Sequence, residues 1–322
     1  MPLTGSAGFS PPGGEQTPGV CSTRRLAAPR FVAAVCDRRR RWHSAATVAQ
    51  APSEASPSRV DDNTLKLLDR TFPTPAENLA CDEALLDWCD EGGNTEVLRF
   101  WEPHGHFVVV GYGNRVEREV NVAACHQLGI PVLRRCSGGG TVLQGPGCLN
   151  YSLILRIDSD PALQTVTGTN RFVMERNRAA LETLLTRSSR RKEALLFKSE
   201  IRNPKSEIAV RGHTDLVIGG RKFSGNAQRR KRRAVLFHGT FLLQFDISLI
   251  QKLLHPPSKQ PVYRGSRSHG EFLMNWNVSA NAVKAALRQA WRVAEELKGF
   301  RAEQTRKLVE QKYSADGWNF KF

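Results

Sequence analysis

The chain lacks several features that would assign it at once. No Cys-x-x-Cys pair occurs, and the seven cysteines (21, 36, 81, 89, 125, 136 and 148) make an odd count. That argues against a zinc site and a disulfide scaffold, and it fits a reducing compartment. No run reaches 18 apolar residues, so no membrane span and no membrane partner are expected. No Gly-Lys-Ser/Thr follows a glycine-rich turn, which excludes a P-loop, and no nucleophile elbow is present. The first sixty residues contain no lysine and only three acids, Glu15, Asp37 and Glu54, against eight arginines. That gives +8 − 3 = +5 of the net +16. This stretch is also rich in proline and glycine and shows little periodicity, so residues 1–62 are expected to be a disordered basic tail. An acid-poor leader of Arg, Ser and Ala resembles a transit peptide to a mitochondrion or plastid. Read instead as an untargeted tail, it leaves the protein cytoplasmic.

What the chain does have is concentrated between Pro131 and Ser152, which reads PVLRRCSGGGTVLQGPGCLNYS. A short apolar strand leads through Arg134 and Arg135 to Ser137 and three glycines, Gly138, Gly139 and Gly140. Glycine tolerates positive φ and lets backbone amides approach a ligand closely. Successive amides in such a turn make an anion-binding concavity, and arginine adds a forked, permanently charged partner. An ordinary hairpin turn would show the same glycines. Gly111-Tyr-Gly113 mimics the start of a dinucleotide fingerprint, but Val116 fills the third glycine position, so it reads as a turn.

The ordered part begins near Thr64, and the spacing of apolar residues predicts helices at 77–90, 117–128, 171–185, 278–298 and 302–313. Strands are expected at 97–101, 107–112, 150–157, 215–218, 221–224 and 234–243, flanking the glycine turn. The run KSEIRNP at 198–204 is followed at once by KSEI, so about 188–213 reads as a low-complexity insertion forming an exposed loop. The pattern implies an α+β fold with a mixed, largely antiparallel sheet and flanking helices.

A second informative stretch is DLVIGGRKFSGNAQ, residues 215–228. Lys222 lies in a strand–turn context between glycines, with Ser224, Asn226 and Gln228 alternating along one face. A lysine there can fix a phosphate or an acyl oxygen. Taken alone, an exposed hairpin lysine is the simpler reading.

Together, RRCSGGGTV, DLVIGGRKFSGNAQ and FHGT (237–240) resemble the lipoate–protein ligase A and octanoyltransferase families. VVVGYGNRVEREVN (108–121) and PVYRGSRSH (261–269) are similar to flanking family segments. The similarity runs from about Asn78 to Asn319. It implies a biotinyl/lipoyl ligase-like catalytic domain over 63–322. It also implies a chemistry in which ATP, with Mg²⁺, activates lipoate or octanoate to an acyl-adenylate. The acyl group then passes to a lysine of a carrier domain. Carriers implied are the lipoyl domains of 2-oxoacid dehydrogenase complexes or the glycine-cleavage H protein. By resemblance, Arg135, Gly140, Thr141, Val142 and Leu143 contact the adenylate, with Ser137, Gly138 and Gly139 completing the loop. Lys222 would touch both phosphate and acyl oxygen, and Asp215 would help hold Mg²⁺.

There are departures. The ligases' His-Asp after the glycines is Gln144-Gly145 here, and Asn-Asp before the lysine is Thr214-Asp215. WNF at 318–320 resembles the entrance to the ligases' small C-terminal domain, so that domain is expected to be absent, with room for a separate accessory-domain chain. The nearest rival reading is transfer of octanoyl between carriers through a cysteine thioester, without ATP. No cysteine follows Cys148, which weighs against it, although Cys136 and Cys148 flank the glycine loop. A different class is nucleic-acid binding through Arg229, Arg230, Lys231, Arg232 and Arg233. A solvated hairpin tip is the favoured reading of that run, and a docking rim for an acidic carrier is a third. His238 is expected to make a structural hydrogen bond beside the site.

Overall fold

Thr74 opens the first helix with a reciprocal cap. Its hydroxyl accepts from Glu77 N (3.2 Å), and the Glu77 carboxylate accepts from Thr74 N (2.9 Å), with Pro75 pre-setting the first turn. The computed structural model describes residues 65–93, 95–193, 207–257 and 259–322. The expectations for residues 1–62, and for 194–206 of the insertion, lie outside the described residues.

In chain order the elements are β1 (Lys66–Asp69), α1 (Pro75–Asp90), β2 (Val97–Trp101), β3 (Phe107–Val110), α2 (Val116–Glu119), α3 (Val122–Gln127), β4 (Val132–Arg134), β5 (Val142–Gln144) and β6 (Cys148–Arg156). There follow α4 (Val166–Glu193), β7 (Ile208–Arg211), β8 (Asp215–Ile218), β9 (Arg221–Arg230), β10 (Ala234–Leu242), α5 (Ser248–Leu253), α6 (His269–Phe272), α7 (Ala280–Ala290), β11 (Glu295–Glu296), α8 (Ala302–Leu308) and α9 (Asp316–Asn319). The large sheet has the order β11-β1-β2-β6-β10-β9-β8-β7, antiparallel except for the β11-β1-β2 edge. A second sheet, β4-β3-β5, is mixed. The expected α+β class with a largely antiparallel sheet is observed.

Alternation along β6 decides what each face of the large sheet carries. Leu149, Tyr151, Leu153 and Leu155 pack with Val173 and Leu181 of α4 and Val283 and Leu287 of α7. Ile154 turns the other way, toward Leu85 and Cys89 of α1. On that second face the middle of β6 becomes polar, with Asn150 and Ser152 both buried. Arg99 of β2 lies opposite Ser152, fully buried, paired to Asp82 and bonded to Asn78 Oδ1 at 2.7 Å. Ser152 donates to the other Asp82 oxygen (2.8 Å). Breaking such a pair leaves an uncompensated buried charge, at about 3–5 kcal/mol. This polar strip is the floor over which the small sheet places the glycine loop.

Several elements differ from the sequence pattern. The helix expected at 117–128 is two short ones, because Val120 leaves the helix to bridge Leu254. The helix expected through 298 stops at Ala290, and Glu295–Glu296 joins β1 as an edge strand. The strand at 221–224 continues to Arg230, held on both sides by β8 and β10. At the two described ends of the expected 188–213 loop there is regular structure, α4 to Glu193 and β7 at Ile208–Arg211.

Candidate active site

The glycine turn between β4 and β5 is shaped by Arg135 from within. Its Nη2 donates to Gly138 O (2.6 Å) and Gly140 O (2.7 Å), and its Nε to Ser137 Oγ (3.0 Å). The guanidinium is nearly enclosed, and burial pulls its pKa down to about 10, which still leaves it charged at neutral pH. Gly139 sits at φ +89, a conformation that disfavours any side chain. Gly111 must also be glycine, because a Cβ there would fall 2.1 Å from Gly139 O. Thr141 N donates to Glu119 Oε2 (3.3 Å), so a carboxylate already occupies one loop amide. Among the described residues the amides of Gly138, Gly139 and Gly140 donate to nothing, which leaves three adjacent donors for a ligand. Val142 and Leu143 continue as β5, with Leu143 in the core of the small sheet.

Arg134, the first arginine of the doublet, does not face this loop. It is fully buried and donates to the carbonyls of Gly111 (2.9 Å), Tyr112 (3.1 Å), Asn114 (2.8 Å) and Trp318 (3.1 Å). Trp318 Nε1 returns a bond to Arg134 O (2.8 Å), and Arg134 N donates to Asn319 Oδ1 (3.0 Å). The turn that supports the loop is thereby tied to α9.

Lys222 reaches the same region through a β-bulge. Asp215 pairs with Gly225 and Leu216 with Ser224, but Val217 pairs with Lys222, so Phe223 is the extra residue. One extra residue reverses the alternation beyond it. Lys222 is therefore on the face of Asp215 and Gly225, and not on that of Ser224 and Asn226 as simple alternation suggests. Its Nζ lies 2.7 Å from Asp215 Oδ1. Gly225 makes room for it, since a Cβ there would meet Nζ at 2.6 Å. Ala227 is two residues further along β9, about 7 Å, and its methyl faces Gly139 (3.4 Å from where a Cβ on Gly139 would stand). Two motifs separated by some eighty residues of sequence are thus brought side by side.

Five further residues around this site were given no role by the sequence. Tyr263 donates to Asp215 Oδ2 (2.7 Å), so both oxygens of that carboxylate are held, and burial together with Asp215 keeps the phenol protonated. Asn114 bonds Glu119 (2.8 Å) and Gly139 O (3.1 Å). Gln144, Asn150 and Thr240 close a buried polar ring, Gln144 Nε2 to Thr240 Oγ1 at 3.0 Å and Asn150 Nδ2 to Gln144 Oε1 at 3.1 Å. Tyr263 lies in PVYRGSRSH and Asn114 in VVVGYGNRVEREVN, so family resemblance was the one available pointer. His238 does bond the loop, with Nε2 2.6 Å from Ser137 Oγ. Burial and the nearby Arg135 charge lower its pKa to about 4, so it is neutral at physiological pH.

The basic run is not a uniform patch. Arg229 stacks over Tyr112, Arg230 bonds Leu163 O (2.7 Å) and Thr169 Oγ1 (2.9 Å), and Lys231 pairs with Asp87 (2.6 Å). Arg232 and Arg233 are exposed at the tip of the β9–β10 hairpin. All five described cysteines are buried, and burial pushes the thiols of Cys136 and Cys148, the two nearest the loop in sequence, up to about 12. No helix among the described residues is long and apolar enough to cross a membrane.

No group of three or more His, Cys, Asp or Glu side chains among the described residues could hold a metal by itself. Mg²⁺ is commonly held by one or two carboxylates with substrate phosphates and water completing the octahedron. Asp215 already bonds Lys222 through Oδ1 and Tyr263 through Oδ2, so it could give such an ion one remaining lone pair on each oxygen.

Residues 74–291, over half of the chain, match the family described as the lipoyl protein ligase A/B catalytic domain. The chain belongs to that family. A LipM octanoyltransferase of Anoxybacillus flavithermus is 29% identical over 277 residues, covering 80% of this chain and 98% of the relative. A crystal structure of lipoate-protein ligase A bound with ATP is similar at TM-score 0.62 and 26% identity, covering 80% of this chain and 98% of that one. A bi-partite lipoate protein ligase from Thermoplasma acidophilum shares the fold at TM-score 0.64 and 23% identity, over 80% of this chain and 96% of that one.

Proposed function

We propose that this chain is a lipoate–protein ligase that activates a lipoate- or octanoate-type carboxylate with ATP and passes the acyl group to a lysine of a carrier domain. The observation that carries the reading is the Lys222 ammonium, held by Asp215 on the strand whose Ala227 meets the glycine loop and its three open amides. In the first step a carboxylate oxygen attacks the α-phosphorus. A new P–O bond forms, the bond to the β-phosphate breaks, and pyrophosphate leaves with its electron pair. Negative charge grows on the α-phosphate oxygens, which Lys222 and the amides of Gly138 to Gly140 would stabilise. Arg135 keeps the loop in shape, and Ser137 is fixed by Arg135 and His238. Mg²⁺ at Asp215 would supply further charge neutralisation for the phosphates. In the second step a carrier lysine attacks the acyl carbonyl, AMP leaves, and the amine proton goes to water. Arg232 and Arg233, exposed at the tip of the β9–β10 hairpin, suit docking of an acidic carrier, such as the lipoyl domains of 2-oxoacid dehydrogenases or the glycine-cleavage H protein.

The second reading is octanoyl transfer without ATP, which the name of the Anoxybacillus relative favours. A thioester route needs an accessible thiolate. The described cysteines are buried, with thiols raised well above neutral pH. One assay separates the two. Purified protein is mixed with Mg²⁺-ATP and lipoate or octanoate, and acyl-AMP is sought by mass spectrometry; a parallel arm supplies octanoyl-carrier without ATP. Acyl-AMP in the first arm is the expected result. Acyl transfer only in the second arm would replace the ligase reading with the transferase one.

A further inference from the structure

The segment 261–269, PVYRGSRSH, gathers positive charge that the fold does not neutralise. Arg264 is 5% exposed, yet its one side-chain hydrogen bond is Nε to Arg267 O (2.9 Å), and neither Nη has a partner among the described residues. Arg267 lies beside it, with Nε on Arg264 O (2.8 Å) and Nη1 on Gly220 O (3.0 Å). Both guanidinium groups sit over the ring of Phe272, at 4.9 and 5.2 Å. No ion pair joins Arg221, Arg264 or Arg267 to a carboxylate among the described residues. The charge of Arg264 reaches His269, whose pKa falls to about 4 through burial and that charge. The open Nη donors are not sealed from solvent, so an anion can reach them, and the like charge of Arg267 beside them favours one.

The position of this cluster selects the anion. Tyr263, next to Arg264, donates to Asp215, and Arg267 bonds the turn two residues before Lys222. Leu273, just after α6, bridges Lys222 itself. The cations therefore continue outward from the point where the α-phosphate would sit. We propose that Arg264, with Arg267 and His269 beside it, forms a diphosphate subsite that receives the β- and γ-phosphates and releases them as pyrophosphate. This rests on the ligase reading and names the part of the nucleotide that the glycine loop and Lys222 leave unheld. Arg264 offers the planar fork that pairs with phosphate oxygens.

Isothermal titration of the full chain with Mg²⁺-pyrophosphate, and separately with orthophosphate, tests it. Pyrophosphate should bind at least tenfold tighter than orthophosphate. Arg264→Gln should weaken pyrophosphate at least tenfold, Arg264→Lys by less, and the exposed Arg306→Gln of α8 not at all. If Arg264→Gln fails to fold, the Arg264→Lys comparison and the ligand-induced rise in wild-type melting temperature carry the test. Equal affinity for the two anions, or unchanged binding in the Arg264 variants, overturns the subsite. Acyl-AMP formation without pyrophosphate binding would sink the subsite alone. Pyrophosphate binding without acyl-AMP formation would sink the ligase reading alone.

Discussion

Lys222 makes its ion pair with Asp215, and Asp215 keeps a second partner in Tyr263, so removing the ammonium does not strip the carboxylate bare. Lys222→Ala is expected to fold normally by circular dichroism and to lose acyl-AMP formation by about 100-fold or more, the usual effect of deleting one preorganised charge-stabilising group. Retained activity in that variant would end the mechanism. A second residue-level prediction concerns acid. His238 and His269 have folded-state pKa values near 4 against an ordinary 6.5, so protonation favours the unfolded chain. Their contribution is complete above pH 6.5 and is lost as pH falls toward 4. The melting temperature should drop across that window, and less steeply in His238→Gln; identical slopes would show that His238 is not a source of the effect. The arginine doublet shows where residue types alone run out. Arg134 and Arg135 both read as ligand-facing cations, yet one spends its donors on the Gly111–Asn114 turn and the other on the loop carbonyls. Adjacent arginines look alike in a sequence, and what separates them is which carbonyls the fold brings within reach.

At the scale of elements, the strand–glycine–strand arrangement and most strand positions were legible from apolar alternation, because each strand has a buried face. The bulge in β9 was not. A single extra residue changes no composition and no motif, yet it carries Lys222 from the Ser224 face to the Asp215 face. The split of the 117–128 helix was equally hidden, since Val120 leaves the helix for a contact with Leu254, more than a hundred residues away. The loop's dependence on its supporting turn yields a test. Gly111→Ala would press a methyl into Gly139 O, so the loop must shift outward. The expected outcome is a rise of tenfold or more in KM for ATP in an acyl-AMP assay. An unchanged KM would mean that the loop tolerates displacement.

For the whole molecule, the net charge of +16 is a property of the full sequence, and +5 of it lies in the first sixty residues. Three of the five residues in the basic run are engaged within the fold, which leaves Arg232 and Arg233 as the outward pair. Arg232→Glu/Arg233→Glu should raise KM for the carrier domain, with the difference from wild type shrinking at high salt, and should leave acyl-AMP formation unchanged. Equal loss in both steps would assign the tip to folding and not to docking.

The bond from Trp318 to Arg134 spans 184 residues, and it fixes the backbone immediately before the loop-bracing Arg135. During synthesis the glycine motif leaves the ribosome long before its anchor exists. The nascent chain carries the complete ligand motif without the contacts that shape it, so activity should appear as a late step, after residues 318 and 319 have emerged and docked.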